Sequence, residues 1–323
     1  MADVLRLQGV EKAFGEQRAV TALDLAVPKG ETCGLIGPSG AGKTTTIRLI
    51  MSILFPDSGT VEVLGRASAL DAKDRIGYLP EERGVYRKMR VEAFLKYLAC
   101  LKGMSEAQAV SRSRELLAKL GLEGVDRKKC EDLSKGMLQR VQFVGAIVHQ
   151  PELLILDEPF SGLDPVSVRL LKGVISDERR RGTTILFSTH VMAQAEELCD
   201  RVVMIHKGRK VLDEPMNSLR RRYDPTRVLF EPLDPQADVR GLRDIAGVVS
   251  TQATDGVVEL RLAPGTDPSA VIREVAARVV PARIEIARIG LEDVFVEIVR
   301  GATSGESEDA LRQHLQGLTG ETA

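Results

Sequence analysis

The order of apolar and polar residues at the start of the chain predicts a strand, loop and helix unit. Apolar and polar positions alternate over residues 4–7 and 20–27, which predicts two half-buried β-strands. Residues 31–36 follow a Pro-Lys-Gly turn as a largely apolar run, and this pattern predicts a third, buried strand. A glycine-rich loop over residues 37–42 leads into residues 44–54, whose apolar positions have helical spacing.

The next part of the chain is helical in pattern from residue 91 to about residue 149. Ser105 and Gln108 have the spacing of a capping box, and Gly121 stands where the helix that follows them should end. We therefore expect a helical subdomain at about residues 90–150.

Strand patterns return after this helical stretch. Residues 153–156 are an uninterrupted apolar run, which is typical of a parallel strand covered on both faces. A helix over residues 166–181 and a strand over residues 184–187 follow. Strands that alternate with helices predict an α/β fold with a parallel sheet, and we expect this first domain to span residues 1–217.

A domain boundary is expected near residues 215–225, where the charged segment 220–225 is typical of a solvated linker. Beyond it the pattern predicts a small βαββαβ domain of ferredoxin-like α+β type over residues 225–301. Its predicted strands cover residues 227–230, 248–252, 257–262 and 283–289, and its predicted helices cover residues 237–245 and 269–279. Residues 302–323 are rich in Gly, Ser, Thr and Glu, and we expect a disordered tail there.

Composition and charge describe an ordinary globular protein. The chain has 323 residues, of which 43% are hydrophobic and 28% charged, and its net charge is −1. Such a charge gives no overall field for a nucleic acid backbone, so we expect no nucleic acid partner.

The cysteines and the apolar segments indicate a cytoplasmic location. The four cysteines, Cys33, Cys100, Cys130 and Cys199, lack CxxC spacing, and this favours reduced thiols over disulfides or a zinc site. Asp3 and Arg6 interrupt the start of the chain, so it has no signal-peptide pattern. Apolar stretches stay well below the ~18 residues of a membrane span. If the protein acts at a membrane, another chain has to cross it.

The glycine-rich loop carries the first chemical motif. Its residues fit G-x-x-x-x-G-K-[ST], and they are Gly37, Pro38, Ser39, Gly40, Ala41, Gly42, Lys43 and Thr44. Glycines in such a loop let backbone N–H groups surround phosphates, and the positive end of the following helix faces the anion. Lys43 would reach the terminal phosphates, and the Thr44 hydroxyl would hold Mg²⁺.

Two acidic residues follow the buried run at 153–156. Asp157 stands at the carboxyl end of the predicted strand, the edge at which α/β sheets bind ligands, and it is placed to hold Mg²⁺ or its water. Glu158 comes next, where a carboxylate can orient or deprotonate the water that attacks a γ-phosphate.

With these residues in place, the chain resembles the ATP-binding subunits of ABC transporters over residues 1 to about 215. The segment Leu133-Ser134-Lys135-Gly136-Met137 is similar to the LSGGQ signature of that family, with departures at Lys135 and Met137. Phe14 resembles the aromatic residue that stacks on adenine, and Ser161-Gly162-Leu163-Asp164 resembles the D-loop. His190 resembles the switch histidine. Taken singly, Phe14 also fits a strand-filling role, His190 a structural role and Asp164 a helix N-cap.

The resemblance implies a P-loop ABC ATPase cassette in which two chains enclose ATP between them. Lys43, Thr44 and Asp157 of one chain would hold the nucleotide and Mg²⁺, while Ser134 and Gly136 of the other would close over the γ-phosphate. The implied nucleotide contacts also include Phe14, Thr45 and Asp164, and the implied catalytic residues are Lys43, Glu158 and His190. The resemblance further implies a homodimer of ATPase chains on the inner face of a membrane, bound to an integral membrane permease subunit.

One position departs from the family pattern. Glu81 stands where the family usually has a loop glutamine that binds Mg²⁺. An anionic ligand there would tighten metal binding, or the neighbouring Glu158 and phosphate would raise the pKa of Glu81; the residues leave both readings open. A similar acidic loop is familiar in the ABC-2 branch that resembles drug and sodium exporters, whose ATPase chains also have a small C-terminal domain. This similarity favours export.

Other classes of protein remain as alternatives. A soluble ABC-type ATPase that remodels ribosomes or DNA usually has two cassettes or an inserted coiled coil, and the sequence has neither pattern. A small-molecule P-loop kinase would lack the ordered Ser134, Asp164 and His190 elements.

The segment 81–96 contains Tyr86 and Met89 among charged residues, and this pattern favours a groove for a helix of the membrane subunit. The alternative is that both side chains pack onto the helical subdomain.

Overall fold

The computed structural model of the chain describes residues 3–82, 84–222, 227–254, 256–263, 265–287 and 290–302. Among the described residues, 3–214 together with 295–302 form one compact unit, and 215–294 form another. Residues 303–323 of the tail expected over 302–323 lie outside the described residues, and residue 302 ends a helix. Residues 223–226, at the end of the expected linker, also lie outside the described residues.

The first unit contains two sheets. Its strands are β1 (Asp3–Phe14), β2 (Gln17–Pro28), β3 (Thr32–Ile36), β4 (Ser58–Val63), β5 (Ile76–Leu79), β6 (Leu153–Asp157), β7 (Thr184–Thr189), β8 (Arg201–His206) and β9 (Arg209–Pro215). Six of them form a sheet in the order β5-β6-β7-β3-β8-β9, and the other three form a sheet in the order β2-β1-β4.

Parallel pairing brings the functional segments to one edge of the six-stranded sheet. Strand β3 pairs in parallel with β7 and β8, and β6 pairs in parallel with β5 and β7. Every residue of β3, β6 and β7 is buried. The apolar runs in the sequence predicted such strands, which are covered on both faces of the sheet. Because the strands are parallel, the segments that follow β3, β6 and β7 emerge side by side.

The three-stranded sheet is longer than the alternating pattern predicted. The predicted strands at 4–7 and 20–27 extend to β1 (Asp3–Phe14) and β2 (Gln17–Pro28), which pair antiparallel as far as Phe14 and Gln17. Register shifts between Leu7 and Lys12 interrupt the alternation, so the polar pattern there underestimates the length of the hairpin. The inner residues of this sheet share one core with the apolar face of the phosphate-loop helix.

The helices of the first unit follow the helical patterns with one difference in length. They are α1 (Lys43–Ile50), α2 (Val91–Leu101), α3 (Glu106–Lys119), α4 (Lys135–Ile147), α5 (Pro165–Arg180) and α6 (Met192–Leu198). The prediction that the first helix runs to residue 54 was wrong. Ser52 has a φ of 54°, and the amides of Ile53 and Leu54 both donate to the carbonyl of Arg48, so the chain turns away after Ile50.

The helical subdomain confirms the predicted helix signals. The Ser105 hydroxyl accepts a hydrogen bond from the amide of Gln108, and the Gln108 side chain reaches back to Ser105, which completes the capping box at the start of α3. Gly121 follows the end of this helix with a φ of 66°, a left-handed conformation that glycine adopts without steric cost.

The second unit is built on a four-stranded antiparallel sheet. Its elements are α7 (Met216–Arg222), β10 (Arg227–Pro232), β11 (Val248–Thr254), β12 (Val257–Leu262), α8 (Pro268–Arg278), β13 (Pro281–Ala287) and the start of α9 (Leu291–Ala302). The strand order β11-β12-β10-β13, with all pairs antiparallel, is the order of a ferredoxin-like sheet. Val228, Phe230 and Leu260 of the sheet pack with Val271 and Val275 of α8.

The predicted helix at 237–245 was wrong, because this segment forms only a short 3₁₀ turn at Arg240–Asp244. Asp238 accepts a hydrogen bond from the amide of Arg240, and Leu242 donates to the carbonyl of Val239, which are local bonds of a tight turn. One turn is sufficient to bury Leu242 and Ile245 against the sheet.

In the part of the chain that the structure describes, no helix has the length and apolar character needed to cross a bilayer.

Candidate functional site

The phosphate-type loop connects β3 to α1 at the shared edge of the parallel sheet. Two of its glycines are required by close backbone contacts. A Cβ on Gly37, whose φ is 150°, would lie 2.1 Å from the carbonyl oxygen of Ile205. A Cβ on Gly42, whose φ is 110°, would lie 2.4 Å from the carbonyl oxygen of Ala19. The loop can therefore pass between β2 and β8 only because these positions lack side chains.

Lys43 is the first residue of α1, and its ammonium group is folded back onto the loop. Its Nζ donates hydrogen bonds to the carbonyls of Gly37 at 2.8 Å and Pro38 at 3.1 Å, and the side chain is 7% exposed. Burial lowers the pKa of Lys43, and the nearby carboxylates of Glu158, Asp157 and Glu81 act in the opposite direction. A buried cation on short bonds to loop carbonyls gives the loop a fixed positive centre.

Oxygen atoms of three residues converge in front of this cation. The Thr44 hydroxyl lies 3.4 Å from Oδ1 of Asp157 and 3.5 Å from Oε2 of Glu81. Asp157 is buried, and burial raises the pKa of its carboxyl group against the hydrogen bond that it accepts from Ser188. Its second oxygen, Oδ2, is buried with no hydrogen-bond partner among the described residues.

The donor set fits a hard divalent cation. Mg²⁺ prefers oxygen ligands and is usually held by one or two carboxylates together with substrate phosphates and water. Thr44, Asp157 and Glu81 supply a hydroxyl and two carboxylates, and the unpartnered Oδ2 of Asp157 is a buried acceptor of the kind a cation satisfies. Within the described ranges no group of three or more His, Cys, Asp or Glu residues is arranged to hold a metal ion.

Glu158 lies between two positively charged or protonatable groups. Its Oε1 is 2.9 Å from Nδ1 of His190 and 3.9 Å from Nζ of Lys43. The hydrogen bond with Glu158 is the main cause that raises the pKa of His190. Glu158 has a φ of 48°, a left-handed conformation that is uncommon for a residue other than glycine, and its amide donates to the Ser188 hydroxyl at 3.1 Å. This backbone turn aims the carboxylate of Glu158 back over the phosphate-type loop.

A cavity of about 420 Å³ brings together these groups except Asp157, which is buried and does not line it. It is lined by Phe14, Gln17, Ala19, Ser39, Gly40, Gly42, Lys43, Thr44, Thr45, Glu81, Glu158 and His190. An exposed aromatic ring, the Lys43 cation and the carboxylates of Glu81 and Glu158 thus line one cavity. Among the remaining loop residues predicted for the site, Ala41 is buried in the loop, and Pro38 contributes the carbonyl that holds Lys43.

The residues of the signature-like segment do not line this cavity. Ser134 is the N-cap of α4, where its hydroxyl accepts a hydrogen bond from the amide of Met137 at 3.2 Å, and the residue remains exposed. Gly136 lies in the first turn of the same helix, and a Cβ there would be 3.4 Å from Cδ2 of Leu163. The start of α4 is therefore open to solvent in the single chain.

Asp164 is the N-cap of α5. Its Oδ1 accepts from the amides of Val166 and Ser167, and its Oδ2 accepts from the Ser167 hydroxyl at 2.6 Å. These bonds lower the pKa of Asp164, the Ser167 hydroxyl being the largest cause. The N-cap role is confirmed, and Asp164 does not line the cavity.

Two contributions to the site were missed in the sequence. Ser188 donates to Asp157 Oδ1 and accepts from the Glu158 amide, so it orients both acidic residues. Pairing of the ends of β6 and β7 places Asp157 opposite Ser188, and a polar residue at the end of the predicted strand was the signal that could have identified it. Gln17 lines the cavity beside Phe14 because the two residues face each other across the hairpin turn.

Two family models match the chain. Residues 20–161 match the family model described as ABC transporter, and residues 215–299 match the model described as ATP-binding protein DrrA1-3-like, C-terminal domain. The chain is 38% identical over 296 residues to the uncharacterized ABC transporter ATP-binding protein YhaQ of Bacillus subtilis (strain 168), covering 92% of this chain and 98% of that protein.

A second relative and a solved structure point the same way. The chain is 30% identical over 310 residues to the bacitracin transport ATP-binding protein BcrA of Bacillus licheniformis, covering 94% of this chain and 100% of that protein. A solved structure described as the ATP-binding subunit of an ABC transporter superposes with a TM-score of 0.63 at 32% identity, covering 68% of this chain and 93% of that one.

Proposed function

Since this chain belongs to the ABC transporter ATP-binding proteins, a family of ATPases, we propose that it hydrolyses ATP in the cavity described above and powers export through a separate membrane subunit. The observation that carries the proposal is the convergence of Lys43, Glu158 and His190 on one cavity that Phe14 also lines. Export is supported by the similarity to BcrA, a transport ATP-binding protein, and by the DrrA-like C-terminal domain.

The cavity offers an aromatic ring, loop amides and a buried cation to a nucleoside triphosphate. In this proposal the half-exposed ring of Phe14 stacks on adenine, and the backbone N–H groups of residues 39–45 bind the phosphates at the start of α1. Lys43 exchanges its loop carbonyls for phosphate oxygens, which are stronger acceptors for a buried cation.

Three residues would hold Mg²⁺, and a fourth would serve the attacking water. Thr44, Asp157 and Glu81 supply the protein's oxygen ligands, and the cation would neutralise charge that develops on the phosphates. Glu158 has a carboxylate oxygen within hydrogen-bond reach of His190, so it can accept the proton of water while His190 holds the carboxylate in place.

We propose that the complete site needs two copies of the chain. Ser134 and Gly136 lie at the start of α4, outside the cavity, with the helix N-terminus open to solvent. The start of a helix attracts anions, and in a dimer this one would close over the γ-phosphate held by the partner.

Mixing two inactive variants tests the composite site. Ser134→Arg should leave nucleotide binding by a single chain intact and abolish hydrolysis, whereas Lys43→Ala should abolish productive ATP binding. Random mixing of the two variants should restore about a quarter of wild-type activity, because half of the dimers then hold one complete site of two. Activity that stays at the background of either variant would overturn the two-chain site.

An exposed aromatic and apolar strip on the helical subdomain would bind the membrane subunit. Tyr86 is 56% exposed, and its ring meets the rings of Phe94 and Tyr97 edge-on at centroid distances of 6.4 and 5.8 Å. Tyr97 and Leu101, 42% and 60% exposed, continue the strip one helical turn along α2. Tyr86 thus packs on the subdomain with one edge and leaves most of its ring open to a partner helix, which would place the chain on the cytoplasmic face of a membrane.

Photocrosslinking from position 86 in native membranes tests this partner. A photoreactive residue at Tyr86 should capture an integral membrane protein, while the same residue at Leu70, which is 57% exposed elsewhere on the chain, should not. Capture of ribosomal or DNA-bound proteins in place of a membrane protein would overturn the transporter assignment and favour a soluble remodelling ATPase.

A further inference from the structure

The tip of the β1–β2 hairpin carries Phe14 beyond the end of its support from β4. Pairing between β1 and β4 ends at Glu11 and Ser58, so the last three residues of β1 have only β2 as a strand partner. Phe14 pairs with Gln17 across a two-residue turn. A two-stranded ribbon of this kind twists easily, and the ring at its end would move with it.

Asp57 replaces the missing strand partner at this point. Its amide donates to the carbonyl of Glu11 at 2.9 Å, and its Oδ2 accepts from the amide of Ala13 at 2.7 Å. Its Oδ1 accepts from Nζ of Lys12 at 2.6 Å. One residue therefore binds three consecutive residues of β1 immediately before Phe14.

Lys12 connects this contact to the aromatic ring. Its Nζ lies 5.8 Å from the centroid of the Phe14 ring, within the range of a cation–π interaction, and its side chain is 18% exposed. The bond with Lys12 is the largest cause that lowers the pKa of Asp57, and the bond from the Ala13 amide is the next. The ammonium group is thus held between a carboxylate and the ring.

We propose that Asp57 and Lys12 are positioning residues that set the angle of the Phe14 ring for the base of the bound nucleotide. This inference rests on the proposed stacking of Phe14 on adenine. Asp57 fixes the backbone of the hairpin tip, and Lys12 fixes one side of the ring. The ring is therefore already ordered when the base binds. Ordering the ring in advance lowers the entropic cost of binding and improves affinity more than turnover.

A simple surface ion pair is the alternative that the experiment has to exclude. Exposed ion pairs contribute little to stability, and loss of such a pair would leave nucleotide binding unchanged. Asp24 offers a matched control, because its Oδ1 accepts a hydrogen bond from the amide of Gly9 at 2.7 Å on the same strand, five residues before Phe14. Asp24→Asn thus weakens the same type of bond to β1 away from the hairpin tip.

The first measurement is steady-state ATP hydrolysis by the full chain in its transport complex. Asp57→Asn should raise KM for ATP about tenfold and change kcat less than twofold, since charged hydrogen bonds of this type are worth about that factor. Lys12→Met should raise KM about threefold, as expected for loss of an exposed cation–π contact. Asp24→Asn should match the wild type. Equal KM values for Asp57→Asn and Asp24→Asn would overturn the positioning role.

The second measurement reports on the ring itself. The chain contains no tryptophan, so Phe14→Trp introduces a single tryptophan at the hairpin tip, which can be excited separately from the four tyrosines. ATP should quench its fluorescence by stacking, and adding Asp57→Asn should lower the anisotropy of the nucleotide-free protein and shift the quenching to about tenfold higher ATP concentration. Adding Asp24→Asn should change neither value.

The outcomes separate this inference from the proposed function. Absence of quenching in Phe14→Trp, while the protein still binds radiolabelled ATP, would overturn adenine stacking by residue 14 and the positioning role with it. Normal quenching that Asp57→Asn leaves unchanged would overturn the positioning role alone. Thermal unfolding of each variant, compared with Asp24→Asn, verifies that the fold is retained.

Discussion

His190 and Glu158 form a close pair at the edge of the parallel sheet, with Nδ1 of the imidazole 2.9 Å from Oε1 of the carboxylate. The pair joins the segments that follow β7 and β6, and the same carboxylate oxygen lies 3.9 Å from Nζ of Lys43. A proton acceptor, a group that orients it and the cation of the phosphate-type loop therefore share one small volume. This arrangement gives direct tests of the proposed hydrolysis.

Replacing Glu158 by Gln should slow ATP hydrolysis by about 10² or more, because the amide cannot take a proton from water. Binding of ATP should be retained, since Lys43 and the loop amides are unchanged, and equilibrium binding of radiolabelled ATP measures this. Glu152→Gln is a suitable control: Glu152 pairs with Arg75 at 2.7 Å just before β6 and lies outside the cavity. A Glu158→Gln variant with normal turnover would assign the base to another residue.

The His190–Glu158 pair should make stability depend on pH. The hydrogen bond raises the pKa of His190 above 6.5 in the folded protein, so the stabilisation is complete below pH 6.5 and is lost as pH rises through the folded pKa. Urea unfolding of the wild type and His190→Gln should differ more at pH 5.5 than at pH 8.5. In Glu158→Gln, an NMR titration should show a lower pKa for His190, and an unchanged value would contradict the pairing.

Gly42 and Gly40 should respond differently to alanine. Both have positive φ values, but a Cβ on Gly42 would lie 2.4 Å from the Ala19 carbonyl, whereas a Cβ on Gly40 would meet no atom within 4 Å. We expect Gly40→Ala to cost about 1 kcal/mol from its left-handed conformation. Gly42→Ala should cost about 3 kcal/mol or more and abolish ATP binding, because the loop has to move. Similar melting temperatures for the two variants would show that the loop tolerates the added methyl group.

Removal of the Ser188 hydroxyl should weaken the proposed Mg²⁺ site without altering the loop. Ser188→Ala deletes the donor to Asp157 and the acceptor for the Glu158 amide, both of which are buried. We expect the Mg²⁺ concentration for half-maximal hydrolysis to rise about tenfold, as is usual when a residue that orients metal ligands is removed. Ser111→Ala, at an exposed position of α3 away from the cavity, provides the control. An unchanged Mg²⁺ requirement would remove Asp157 from the metal site.

His149 should destabilise the protein in acid. Burial, followed by the charge of Lys102, lowers the pKa of His149 to about 4, and its Nε2 lies 3.1 Å from the carbonyl oxygen of Ile76. A histidine whose pKa is lowered by folding contributes stability that is present above pH 6.5 and is lost as pH falls toward 4. The stability of His149→Gln should therefore decline less between pH 7 and pH 4.5, by roughly 1–3 kcal/mol. Parallel losses in both proteins would contradict this assignment.

The short-range features of the chain were readable because their causes are local. The capping box at Ser105 and Gln108 and the left-handed Gly121 depend on residues within one helical turn. Asp157 could be placed at a strand end because an uninterrupted apolar run has a visible boundary. The prediction of a helix at residues 237–245 was wrong for a related reason. The apolar residues there have helical spacing, but local hydrogen bonds of Asp238 and Val239 favour a single tight turn.

By itself, the sequence determined the phosphate-type loop, the acidic residues that follow the buried strand and the α/β class, since a glycine pattern or an apolar run prescribes backbone conformation where it occurs. Only the tertiary structure decided which strands are neighbours, and so which side chains meet. Ser188 lies opposite Asp157 through strand register, and Asp57 binds β1 from a segment more than 40 residues away. Such contacts depend on pairing between distant segments, and the pattern within either segment does not record its partner.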